Sequence, residues 1–143
     1  MAEDNQRFVR WQKITIDQLG YCTNLILVLA IATLAFAISF ARDPDFIAAK
    51  ARCYVGTLLL IGLFGLCASI ICGLLCMFNR LRDFRGTAQR AKDSADAPSK
   101  EKLDQMGDVT WRLFYGQIWA FLVAIVLVAS VVAVALVPKL FSN

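Results

Sequence analysis

The sequence predicts an all-α fold: a bundle of three transmembrane helices, extended into the cytoplasm as a short stalk. Composition and charge placement predict it. Hydrophobic residues make up 59% of the 143-residue chain and charged residues 18%, against roughly 45–50% and about 25% in soluble globular proteins. The charges are also segregated. Gln18 to Ala41 (24 residues), Cys53 to Asn79 (27) and Leu113 to Pro138 (26) contain no Asp, Glu, Lys or Arg. A helix crosses hydrocarbon with about 20 consecutive apolar residues, so each stretch is long enough.

The chain has no histidine. That excludes Ser-His-Asp and Cys-His catalysis, the HExxH zinc site and bis-histidine haem. The 66 residues outside the apolar stretches are divided among separate short segments. None suits a soluble catalytic domain, since chains below about 40 residues seldom fold unaided. The expectation is a non-enzymatic protein without catalytic residues, metal or cofactor.

Residues 1–17 are expected to form a cytoplasmic helical segment and 18–41 the first membrane helix. Residues 42–52 form a short external turn and the start of helix two, whose membrane part is 53–79. A basic cytoplasmic extension and loop fills 80–112, helix three crosses at 113–138, and 139–143 is an external stub. Orientation follows from the Lys and Arg beside the spans. The N-terminal segment and long loop share one side and carry 11, whereas the turn and C-terminus carry 4. Ala35-Phe36-Ala37 and Ser39-Phe40-Ala41 resemble signal-peptidase sites. The acids Glu3, Asp4 and Asp17, and an apolar stretch longer than a signal core, point to an uncleaved chain.

Asp43-Pro44-Asp45 places Asp at N-cap, Pro at N1 and an acid in the first turn, so helix two should start near Pro44. Lys50 and Arg52 would snorkel to the outer interface. No proline follows until after Lys92, and Leu81, Phe84, Ala88 and Ala91 fall at spacings of 3, 4 and 3, a helical stripe running beyond the membrane. Phe8, Trp11, Thr15 and Gln18 (or Leu19) give helix one a comparable, weaker stripe, so the extensions could pair as the stalk. The polar run Asp93 to Ser99 reads as a loop. Ser99 could cap a brief helix through Met106 that Gly107 ends, with helix three starting at Asp108 or Thr110. Trp111, Phe114, Tyr115 and Trp119 suit the headgroup zone.

Span two carries the most informative pattern. Gly62, Gly65, Ser69, Cys72, Cys76 and Asn79 follow at spacings of 3, 4, 3, 4 and 3, an a/d seam of small residues that lets another helix approach closely. It packs a neighbour within the chain, joins protomers, or lines a ligand face. Gly116, Ala120 and Ala124 on span three, and Ala30, Thr33 and Ala37 on span one, are further small series. Asn24 and Gln117, at similar depth, suggest a hydrogen bond between helices one and three. The cysteines read as small packing residues, because no His, Asp or Glu joins them within a span. A disulfide is not expected, since only Cys53 lies near the external face.

The second candidate is the basic segment Arg80, Arg82, Asp83, Phe84, Arg85 and Arg90. It reads as a positive-inside signal, a surface for anionic lipid headgroups, or a docking surface for a partner or for helix one's extension, with Asp83 near Arg10. Nearby acids dilute its field, so nucleic acid is not an expected partner. Asn79-Arg80-Leu81-Arg82-Asp83-Phe84-Arg85-x-Thr87-Ala88, followed by Trp111-Arg112-Leu113, resembles small uncharacterised bacterial inner-membrane proteins. The resemblance implies that address and no activity.

Spans without ionisable residues or Gly/Pro-interrupted helices speak against a carrier. The expected role is a homo-oligomeric scaffold, or an accessory subunit of a larger membrane complex. The alternative is a small oligomeric pore or channel-like effector.

Overall fold

A computed structural model describes residues 2–43, 53–91 and 100–140, with side chains for residues 14, 16–43, 54–86, 105 and 107–136. All three described elements are α-helices: α1 (Ala2–Ala41), α2 (Cys53–Ala91) and α3 (Lys100–Leu140). Each carries a window long and apolar enough to span a membrane: Ile16–Ala41, Tyr54–Gly86 and Gly107–Leu136. At 1.5 Å per residue the helices are about 60 Å long, twice the hydrocarbon thickness, so each continues beyond it.

The helices share one period. Burial falls on Thr23, Ala30 and Ala37 in α1, and on Thr110, Gln117, Ala124 and Val131 in α3, every seventh residue in each, with Val128 buried beside them in α3. In α2 it falls on Val55, Leu59, Gly62, Leu66, Ser69, Gly73 and Cys76, alternating steps of four and three. A 3.5-residue period keeps one stripe facing its neighbours along the whole crossing and winds helices left-handedly. α2 packs most extensively on α3, and α1 leans on α2 more than on α3.

The outward surface is apolar. Phe64 is 74% exposed, Tyr21 71% and Trp119 67%. A watery surroundings would penalise so many exposed large side chains, whereas lipid tails solvate them. Two hydroxyls away from the helix contacts bond to their own helices. The hydroxyls of Thr33 and Ser130 donate to the carbonyls of Leu29 and Val126, both at 2.7 Å. This local bond satisfies a donor that lipid cannot.

α1 closes after Ala41, with the amides of Arg42 and Asp43 donating to Ser39 and Phe40 carbonyls at 3.2 Å, the tightened last turn common at helix ends. The expected start of helix two at Pro44 and the loop from Asp93 to Ser99 lie outside the described residues. The short helix ending at Gly107 is corrected: α3 runs unbroken from Lys100 through Gly107. Gly107 lacks the positive φ of a terminating glycine, and among the described residues no atom beyond its own stretch of helix stands within 4 Å of where its Cβ would be. A helical glycine costs only about 1 kcal/mol relative to alanine, and the preceding Lys-Glu-Lys-Leu-Asp-Gln-Met run consists mainly of strong helix formers.

Candidate functional site: a buried polar junction

The small-residue seam of α2 faces α3 residue by residue. A Cβ built on Gly62 would lie 3.1 Å from Cγ2 of Val128, and one on Gly65 would lie 2.9 Å from Cβ of Ala124. Ser69 donates its hydroxyl to the Gln117 carbonyl at 3.0 Å. Cys72 lies 3.9 Å from where a Cβ on Gly116 would sit. The Cys76 thiol donates to the Thr110 carbonyl at 3.6 Å, and Asn79 Nδ2 donates to Thr110 Oγ1 at 2.8 Å. The Gly116, Ala120 and Ala124 series is the answering face. The seam expected either within the chain or between protomers therefore joins α2 to α3 within one chain.

Midway along this seam the three helices meet at Gln117, which is fully buried. Its Nε2 donates to the Thr23 carbonyl of α1 at 3.2 Å. That carbonyl is reachable because Thr23 lies in phase with Ala30 and Ala37, on the inward stripe of α1. Gly73 supplies the room: a Cβ there would fall 2.6 Å from Nε2 and 3.0 Å from Cδ of Gln117. The Thr23 hydroxyl donates to Leu19 at 2.8 Å. Among the described residues Gln117 Oε1 is buried without a hydrogen-bond partner, an arrangement that costs more than an ordinary lost bond.

The expected bond between Asn24 and Gln117 is corrected. Helices one and three are joined by Gln117, but the acceptor is Thr23, and Asn24 is exposed on the outer side of α1. One helical residue turns the side chain by about 100°, enough to exchange inside for outside. Sequence reasoning passed over Thr23, Gly73 and Thr110 as junction residues. The available signal was the seven-residue step, linking Leu59, Leu66 and Gly73 in α2 and Thr110, Gln117 and Ala124 in α3.

The basic segment divides. The Arg80 guanidinium occupies the space beside Gly20 of α1, and its Cζ stands 5.6 Å from the Phe84 ring centroid, within reach of a cation–π attraction. Arg80 thus ties α2 to α1. Arg82, Phe84 and Arg85 are exposed, Asp83 is half-buried, and the side chains of Arg10 and Arg90 lie outside the described residues. Nearby on α3, Trp111 packs with Phe114 and Tyr115 at centroid distances of 6.0 Å.

Cys22 and Cys67 are exposed, Cys72 is half-buried and Cys76 buried. Among the described residues no three Cys, Asp or Glu side chains gather where they could hold a metal. The junction consists of neutral donors and acceptors between closely packed helices, and it fixes their relative depth and rotation. Comparison with family models, curated proteins and solved structures finds no match to this chain.

Proposed function

We propose that this chain is a non-enzymatic integral membrane protein that serves as a homo-oligomeric scaffold or as an accessory subunit of a larger membrane complex. The observation that carries this reading is the inward direction of its polarity. Ser69, Asn79, Thr110 and Gln117 bond helix to helix, while large apolar side chains cover the outside. A unit built this way holds one shape and offers its surface to other helices.

The proposal places the chain in a bacterial inner membrane, with the N-terminus and long loop in the cytoplasm and the C-terminus outside. The 11-to-4 distribution of basic residues supports that orientation. Exposed Arg82, Arg85 and Arg112 would then face anionic headgroups, at about 1 kcal/mol for each basic residue near the surface. Partners are membrane lipids and further copies or other membrane subunits, not nucleic acid. Native purification in mild detergent, with mass determination and identification of associated subunits, tests the reading. A particle heavier than one chain is expected. A lone chain with no associated subunit would overturn it.

A further inference from the structure

The inward stripe of α1 is occupied by α2 and α3, yet a second seam of the same period runs along its outer side. Tyr21, Asn24, Val28, Ile31, Ala35 and Ile38 follow at spacings of 3, 4, 3, 4 and 3, and all are exposed. Five of them suit lipid or the interface. Asn24 does not. It lies eight residues past the start of the 26-residue window at Ile16; with a core of about 30 Å centred in that window it is about 7–8 Å inside hydrocarbon, too deep for its short side chain to reach headgroups. Thr33 and Ser130 satisfy their hydroxyls on their own helices, but the Asn24 carboxamide has no hydrogen-bond partner among the described residues.

We propose that the outer face of α1 joins two copies of this chain side by side in the membrane, with the Asn24 carboxamides hydrogen-bonded to each other across a two-fold axis. This rests on the homo-oligomer reading above and names its surface. Three properties select a second copy as the occupant. A carboxamide is both donor and acceptor, so it pairs with its own kind. Copies inserted in one orientation hold Asn24 at the same depth, and a two-fold contact brings equivalent residues together. A single Asn among branched apolar residues at seam positions is also the pattern that fixes register between paired helices. The inner α2 seam cannot serve here, because α3 covers it.

The test is the association of full-length, fluorophore-labelled chains in liposomes, read by energy transfer as the protein is diluted in lipid. Asn24→Leu should weaken association roughly three- to thirtyfold, the range for interhelical polar bonds in membranes, and Asn24→Gln should largely retain it. Ala35→Trp, on the same face, should also weaken association, whereas Leu60→Trp on the outer face of α2 should not. Helical content and unfolding of the monomer should be unchanged by Asn24→Leu, since the side chain makes no bond within the described chain. If the wild type associates and neither Asn24→Leu nor Ala35→Trp weakens it, this interface is wrong and the oligomer reading survives. If the wild type does not associate at all, both fall.

Discussion

Gly73 and Gln117 occupy each other's space: a Cβ on Gly73 would fall 2.6 Å from the Gln117 amide nitrogen. The carboxamide that reaches α1 lies across a gap left by the missing side chain of α2.

Gly73→Ala should therefore destabilise the bundle although alanine favours helix. The methyl forces Gln117 away from the Thr23 carbonyl, and overpacking of this kind costs about 1–3 kcal/mol, above the gain of about 1 kcal/mol in helix propensity. In a Gln117→Ala background the same change should be neutral or stabilising. A double-mutant cycle from unfolding in mixed micelles measures this coupling, and additivity would count against the contact.

Gln117 itself should respond asymmetrically. Gln117→Met keeps the volume and loses one bond, but also removes the unpartnered Oε1, so the net change should stay within about 1 kcal/mol. Gln117→Glu places a carboxyl in the same buried position. Its ionised form would be desolvated without a compensating cation, and the neutral acid, which keeps an O–H donor for the Thr23 carbonyl, must be held protonated at neutral pH at a cost of its own. A loss exceeding about 2 kcal/mol is expected. Equal unfolding midpoints for the two variants would contradict this.

The glycines of α2 and α3 should separate by what faces them. Gly107 has open space around it, so Gly107→Ala should raise stability by about 0.4–1 kcal/mol. A Cβ on Gly65 would lie 2.9 Å from the Ala124 methyl, and Gly65→Leu should drive α2 from α3 at a cost of about 3 kcal/mol or more. Thermal unfolding in one detergent ranks them, and the reverse order would refute the packing.

Thr110→Val removes the acceptor of Asn79 while keeping shape. Loss of about 0.6–1.7 kcal/mol is expected. The readout is again unfolding in micelles.

The three-helix architecture was legible because hydrocarbon imposes a crude rule, visible in the three charge-free stretches. The α2 seam was legible for a related reason: Gly62, Gly65 and Ser69 repeat at a spacing only a packed helix requires. Which helix answered it was not, since Gly116, Ala120 and Ala124 on one side and Ala30, Thr33 and Ala37 on the other offer similar small faces. Hydrogen bonding in three dimensions, Ser69 to Gln117 and Asn79 to Thr110, made the choice. The misplaced partner of Gln117 shows the limit differently. Asn24 has the more polar side chain, but Gln117 bonds to the backbone of Thr23, and any residue type supplies a carbonyl. Gly107 read as a stop because glycine often ends helices, and that rule yields where strong helix formers precede the glycine and a long helix follows it.

The charge-free stretches of 24, 27 and 26 residues correspond to about 36, 40 and 39 Å of helix, longer than an average bilayer core of about 30 Å. Such mismatch is relieved by tilting or by thickening the surrounding lipid. Helices pinned together at Gln117 cannot each choose an angle, so the molecule must lean as one body or deform its annulus. Acyl-chain length thereby becomes a mechanical variable for this protein, with thicker bilayers standing it upright and thinner ones laying it over.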